Sequence, residues 1–296
     1  MDGERHPREA EAMHGTVVAG LDGSAESRAA ADWAAREALR RAAPLTLLHA
    51  VAPPVGRWAD ADPAPEPGPG PTEGAADDLR GAYPGLSVSA DEVAGQALPV
   101  LFAAAAEADL MVLGSRGTGA VEGFLLGSVA LTVAGQAPVP VVLVRSAPDG
   151  DGEEGADEAA AVSAPGEVVV GLDLAGPGDA VLAFAFAAAA RGNAPLRVVH
   201  GGDPGGTPAQ GGDAHADALE RALSPWRKRY PDTEVIDEAV VGTADRHLLE
   251  VSSGAGLLVI GRRADRTRLA PHIGAVAHTI LHHARVPVAV VPHEGP

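Results

Sequence analysis

The chain has 296 residues, of which 46% are hydrophobic but only 3% aromatic, so its cores must be built from alanine, valine and leucine. It contains no cysteine, which excludes disulfides, thiolate metal sites and cysteine nucleophiles. The formal net charge of −18 disfavours nucleic acid as a partner, because an acidic surface repels phosphate backbones.

Hydropathy also bounds the location of the protein. No stretch of the sequence reaches the roughly 18 consecutive apolar residues of a membrane span, and residues 1–14 are too polar for a signal peptide. We therefore expect a cytoplasmic protein without a membrane partner, whose residues 1–15 are flexible. The chain is long enough for two domains of ordinary size.

Predicted strands and helices alternate along the first half. The apolar run Thr16–Leu21 predicts a buried strand, and Ser24 is suited to cap the helix that follows. The segment Pro53–Pro71 is rich in proline and glycine and predicts a long loop. The other expected elements are strand Leu45–Val51, helix 73–81, strand 86–93, helix 97–107, strand Leu110–Gly114, a helix from 128, and strand Val139–Arg145.

The pattern of these strands predicts the fold class. Strands that are apolar on both faces and alternate with helices indicate a parallel sheet covered on both sides. Right-handed crossovers make such a sheet doubly wound. Its ligands are expected beyond the carboxyl ends of the strands. The expected fold is therefore α/β.

An internal repeat shows that this pattern occurs twice. Val17–Asp22 (VVAGLD) returns as Val168–Asp173 (VVVGLD), and Leu110–Gly114 returns as Leu257–Gly261. The offset of about 150 residues is the size of a domain. We therefore predict two tandem five-stranded domains, at 16–146 and 166–293. The acidic segment 147–165, rich in alanine, glycine and proline, is expected to be a flexible linker.

A glycine-rich motif in the first half predicts an anion site. Gly114-Ser115-Arg116-Gly117 is followed after nine residues by Gly127-Ser128. The motif begins where a buried strand ends and closes where a helix begins. Its glycines allow positive φ and close backbone approach to a ligand. Helix amides, with the Ser128 hydroxyl and the Arg116 cation, suit phosphate oxygens.

Asp22 ends the first strand at the same edge of the sheet. A carboxylate there disfavours phosphates but accepts hydrogen bonds from a ribose or an adenine edge. Alternatively, Asp22 only caps the turn Asp22-Gly23-Ser24. The combination of Asp22 with the glycine motif favours a nucleotide site.

These residues resemble the nucleotide-binding branch of the universal stress protein family. The spacing of Gly114, Gly117, Gly127 and Ser128 matches the family motif, and Asp22 matches the end of the first strand. The resemblance implies a Rossmann-like fold of the adenine nucleotide alpha hydrolase type, and ATP bound with a divalent ion such as Mg. By the family pattern, the ATP-binding residues are Gly20, Leu21, Asp22, Ala50, Leu113, Gly114, Arg116, Gly117, Gly127, Ser128 and Val129.

The second half keeps Asp173 but departs from the motif. Ala264 replaces the second glycine, and Ala275 replaces the hydroxyl residue after Gly274. The arginines gained there indicate either an altered anion site or a solvated basic loop, and the second interpretation is favoured; they are Arg262, Arg263, Arg266 and Arg268. We expect one ATP site per chain.

His278 and His282 are spaced to share one helix face and could bind a metal. No third ligand is evident, so a helix surface is favoured and no metal site is expected.

Three functions are compatible with these features. The resemblance favours an ATP-binding regulator of the stress response, with the second half as a dimerisation partner. A slow ATPase is the second possibility, although no Walker lysine pattern and no general base accompany the loop. A ligand-free interaction scaffold is the third. Family members pair their last strands across a dimer axis, so we expect Val139–Val144 and Val286–Val291 to pair antiparallel within the chain. A homodimer of whole chains is allowed but not required.

Overall fold

The computed structural model describes most of both halves of the chain. The described residues are 15–52, 70–115, 126–146, 166–174, 176–200, 212–240, 243–264 and 273–294. The expected linker at 147–165 and the expected flexible N-terminus, apart from Gly15, lie outside them. Arg116 and Gly117 of the predicted phosphate loop also lie outside the described residues.

Strands and helices alternate in both halves, as predicted. The first half contains β1 Val17–Gly20, α1 Ala25–Arg41, β2 Leu45–Val51, α2 Pro71–Ala82, β3 Val88–Ala94, α3 Ala97–Glu107, β4 Leu110–Gly114, α4 Ser128–Gln136 and β5 Val141–Val144. The second half contains β6 Val168–Leu172, α5 Asp179–Gly192, β7 Leu196–His200, α6 Gly212–Arg229, β8 Val235–Ala239, α7 Ala244–Val251, β9 Leu257–Ala264, α8 Ala275–His283 and β10 Val288–Glu294.

The ten strands of the described ranges form one continuous sheet, in the order β3-β2-β1-β4-β5-β10-β9-β6-β7-β8. Neighbouring strands are parallel within each half. At the junction β5 and β10 are antiparallel, with Val142 opposite Ala289. The predicted antiparallel pairing of the two terminal strands is therefore confirmed. The pairing joins the two five-stranded sheets and removes two apolar edges that would otherwise be exposed.

The boundaries of β2, α3 and β4 are as predicted, and the others shift by a few residues. Pro71, predicted to end a loop, is the first residue of α2, where a missing N–H costs little because the first helical amides have no intrahelical partner. The last strand of the first half begins at Val141 rather than Val139, after Pro140, which cannot donate to the ladder.

Helix α1 shows how local sequence and packing agree. Ser24 is its N-cap and accepts a hydrogen bond from the Ser27 amide over 3.1 Å. The side chains of Ala30, Trp33 and Ala34 are buried in the hydrophobic cluster that also contains residues of the strands. Small alanines let the helix approach the strands closely. No helix in the described part of the chain is long and apolar enough to cross a membrane.

Candidate functional site

The described residues of the predicted site meet at the carboxyl edge of the first half. Gly20 of β1 pairs with Leu113 of β4 on one side and with Leu48 of β2 on the other. From β1 the sheet continues through β2 to β3 on one side and through β4 to β5 on the other. The strand order therefore reverses between β1 and β4. In doubly wound sheets this is the place where ligands bind.

Ser115, the first residue after β4, closes the base of the predicted phosphate loop. Its amide donates to the carbonyl oxygen of Val144 over 2.7 Å, and its carbonyl oxygen accepts from the Gly127 amide over 2.8 Å. These two bonds hold the start of α4 beside the end of β4. Gly127 is the N-cap and supplies no side-chain cap, and Ser128 is exposed. The first amides of α4 and the Ser128 hydroxyl are therefore available to an anion.

Gly114 makes a backbone contact that its place in the motif did not predict. The motif had suggested that Gly114 could have a positive φ, but its φ does not lie in the left-handed region. A Cβ at this position would lie 2.8 Å from the carbonyl carbon of Glu26 and 2.9 Å from the nitrogen of Ser27. A glycine is needed there because the backbone at the start of α1 packs directly on the end of β4.

On the nucleoside side, Asp22 holds the turn between β1 and α1. Its Oδ1 accepts from the Ser24 amide over 3.0 Å and from the Ser24 hydroxyl over 2.6 Å. Gly23 between them has φ +85°, which favours glycine. The turn-capping interpretation of Asp22 is thus correct, and its exposed side chain also lies at the edge where a ligand is expected. Leu21 is buried beside it, and Ala50 is half-buried near the end of β2.

His49 contributes to this edge and was not among the predicted site residues. Its Nδ1 lies 2.7 Å from the carbonyl oxygen of Leu21, so it ties the end of β2 to the end of β1. The sequence carried a signal for it, because the histidine recurs in the second half as His200. Identifying its contact required the register of β1 and β2.

The equivalent edge of the second half is built differently. β4 ends at Gly114, whereas β9 continues for three residues past Gly261 and pairs with an extended β10. A Cβ at Gly261 would lie 3.1 Å from the ring carbon Cδ2 of His293. Extended strands and the His293 ring therefore occupy the place where the phosphate loop begins in the first half.

Arg262 corrects one prediction for this segment. It is only 6% exposed and donates from Nη2 to the carbonyl oxygen of Ala137 over 2.6 Å. Burial lowers the pKa of its guanidinium. The predicted solvated basic loop is therefore wrong for Arg262, because β9 extends and carries it into the junction of the halves. Arg263 is exposed, while Arg266 and Arg268 lie outside the described residues.

The rings of His278 and His282 are neighbours on α8, with centroids 4.4 Å apart. Within the described ranges, no group of three or more histidine, aspartate or glutamate side chains is placed to hold a metal ion. The histidine pair thus has no third protein ligand in the part of the chain that the structure describes.

Comparisons with known proteins agree with this architecture. A model of the universal stress protein family matches residues 13–145 and 166–292. Two universal stress proteins of Mycobacterium tuberculosis are 33% and 31% identical to this chain, over 94% and 93% of it and 97% and 95% of their own lengths. A solved universal stress protein from Archaeoglobus fulgidus has the same fold, with a TM-score of 0.64 at 16% identity over 94% of this chain and 98% of that one.

Proposed function

The chain belongs to the universal stress protein family in both of its halves, and on that basis we propose that its first half binds ATP. We further propose that the protein acts as a regulator of the stress response rather than as a fast enzyme. The observation that carries the proposal is the bond between the Gly127 amide and the Ser115 carbonyl oxygen, 2.8 Å long. It sets an uncapped helix N-terminus at the reversal point of a doubly wound sheet.

The phosphates are assigned to the α4 side of this crevice. The amides at the start of α4 have no intrahelical acceptor, and the positive end of the helix dipole favours negative charge there. Ser128 adds a hydroxyl donor. The described part of the crevice supplies no cluster of three metal ligands, so a Mg²⁺ ion would take most of its ligands from the phosphates and water.

The nucleoside is assigned to the β1 and β2 side. Asp22 lies at the end of β1 with an exposed carboxylate that suits a ribose hydroxyl or an adenine amino group. His49 holds the Leu21 carbonyl oxygen, and therefore the backbone leading into Asp22, in place. Ala50 follows His49 and offers backbone groups to the adenine edge.

The second half is proposed not to bind ATP. Its strands β9 and β10 extend over the position of the phosphate loop, as described above. Its last helix begins with Ala275, so the hydroxyl of Ser128 has no counterpart. We therefore propose one nucleotide per chain, with the second half serving as the internal pairing partner of the first.

Isothermal titration of the full chain with ATP tests the proposal, with a stoichiometry of one per chain expected. Gly127→Val, which places a side chain where phosphate oxygens would lie, should abolish binding in a folded protein. Gly274→Val, at the matching position of the second half, is the control and should leave binding unchanged. If the wild type did not bind ATP, the ligand-free scaffold would be favoured. If ADP accumulated in the calorimeter cell during the titration, a slow ATPase would be favoured.

A further inference from the structure

A groove of about 420 Å³ crosses the boundary between the two halves, near the end of α4 that is remote from Ser128. This volume is within the range of small-molecule sites. We call it the junction groove. Its walls are mainly apolar, and two arginines are charged exceptions. The residues used in the argument are Arg41, Pro138 and Pro140 of the first half, and Phe184, Arg191 and Pro292 of the second.

The arginines beside the groove outnumber their carboxylate. Glu37 is 5% exposed, and its carboxylate oxygens lie 2.7 Å from Arg41 Nε, 3.0 Å from Arg191 Nη2 and 3.6 Å from Arg40 Nη1. One carboxylate balances one of these three cations. These four side chains together are therefore net positive, in a chain whose formal net charge is −18.

Each groove arginine has one buried donor atom without a partner, and the two guanidiniums repel each other. Arg41 Nη2 and Arg191 Nε are buried without a hydrogen-bond partner among the described residues. Burial and the positive charge of Arg41 both lower the pKa of Arg191. Buried donors without a partner and neighbouring like charges each cost folding free energy. An anion in the groove beside both guanidiniums would offset the repulsion between their charges.

We propose that the junction groove binds a small organic acid, whose carboxylate contacts Arg41 and Arg191 and whose apolar body lies against Phe184 and the prolines. The planar guanidinium matches a carboxylate in shape and charge. The Arg41 guanidinium carbon lies 5.6 Å from the centre of the Phe184 ring, so the charged end and the apolar wall adjoin. The proposal does not depend on the nucleotide site, which is at the other end of α4.

A purely structural role for the arginines makes a different prediction. Arg41 and Arg191 both lie in the last turns of their helices, where cations stabilise the negative end of the helix dipole. If this and the contact with Glu37 were their whole role, the groove would have no preference for an acid.

Calorimetric titration of the full chain with decanoate, in the presence of ATP, is the test. We expect one decanoate per chain. Acetate has the carboxylate but no apolar body, and decanol has a chain of similar length but no carboxylate. Each should bind at least about ten-fold more weakly than decanoate, because each lacks one of the two sets of contacts. Decanol binding as well as decanoate, or no binding of decanoate at millimolar concentration, would overturn the proposal.

Two variants locate the site. Arg191→Gln should weaken decanoate binding about ten-fold through loss of a charged hydrogen bond, whereas Arg40→Gln should not, since Arg40 approaches Glu37 but does not line the groove. Ala183→Phe fills the groove without changing any charge and should abolish binding even if Arg191→Gln disturbs the junction. Wild-type affinity in both Arg191→Gln and Ala183→Phe would place decanoate elsewhere and refute the assignment.

Discussion

Arg262 of the second half donates a hydrogen bond to the carbonyl oxygen of Ala137 in the first half, over 2.6 Å. Ala137 is the C-cap of α4, where carbonyl groups lack intrahelical partners and the helix dipole is negative. Arg145 makes the reciprocal contact, donating to the carbonyl oxygens of Leu281 and His282 over 3.0 and 2.7 Å. Each half thus places an arginine on the end of the other half's last helix.

Arg262→Ala should therefore destabilise the chain by about 1–3 kcal/mol, because it leaves the Ala137 carbonyl oxygen buried without its donor. The measurement is the free energy of unfolding in urea. Arg263→Ala is the matched control, since Arg263 is the exposed neighbour on the same strand, and should change stability by no more than about 0.5 kcal/mol. Equal effects of the two substitutions would contradict a junction role for Arg262.

Ser128→Ala should weaken ATP binding by about ten-fold or more, because a hydroxyl donor to a charged phosphate is lost. Calorimetric titration measures the change. The reverse substitution in the second half, Ala275→Ser, should not create a second ATP site, because the extended β9 and β10 still cover that edge. A stoichiometry of two in Ala275→Ser would show that the hydroxyl alone decides which half binds.

Gly114→Ala should destabilise the fold by about 1–3 kcal/mol, since the new Cβ would overlap the backbone at the start of α1. Gly74→Ala makes the same change inside α2, where nothing lies within 4 Å of the added Cβ, and should stabilise by about 0.5–1 kcal/mol. Thermal unfolding of both variants reports the two signs. If Gly114→Ala were as stable as the wild type and lost only nucleotide binding, the glycine would serve the ligand instead.

Much of this architecture could be predicted from the sequence because it depends on local patterns. Apolar runs alternating with helical segments specified β2, α3 and β4, and the repeat of VVAGLD as VVVGLD specified the tandem organisation. The antiparallel junction was predicted from the resemblance to a family whose members pair their last strands, and it agrees with the need of two apolar edge strands for a partner. The strand and helix boundaries and the repeat depend only on local sequence.

The features that were missed depend on contacts between segments far apart in sequence. The need for glycine at position 114 comes from the start of α1, and the burial of Arg262 comes from the end of α4. The contact of His49 with Leu21 needs the register of two strands. The arginine-rich sequence after Gly261 is typical of an exposed loop. Arg262 is buried only because β9 extends past Gly261.

Tyr83→Phe should lower stability in a pH-dependent way. The Tyr83 hydroxyl donates to Asp32 Oδ1 over 2.6 Å, and burial together with this carboxylate raises the pKa of Tyr83 to about 12. A raised folded-state pKa stabilises the fold below the unfolded value of roughly 10 and loses that effect as the pH rises toward 12. We expect the unfolding free energy of the wild type to exceed that of Tyr83→Phe by about 1 kcal/mol at pH 8. The difference should shrink above roughly pH 10. A difference in unfolding free energy that stays constant from pH 8 to 11 would contradict this.

Cleavage between the halves tests the junction directly. We expect a chain cut at a protease site inserted within 147–165 to keep its two fragments together in gel filtration. The β5–β10 pairing and the contacts of Arg145 and Arg262 do not depend on the covalent connection. Ala289 is fully buried opposite Val142, so Ala289→Asp would bury an unpaired charge and should release the fragments after cleavage.

Ala25→Asp is the control for that experiment, because it adds the same charge at the exposed first residue of α1, away from β5 and β10. Its cleaved fragments should stay associated. Fragments of the wild type that separate at micromolar concentration would show that the strand pairing is maintained by the tether alone. Release in both aspartate variants would point to a general effect of negative charge in an already acidic chain. Release confined to Ala289→Asp assigns the association of the halves to the apolar β5–β10 junction.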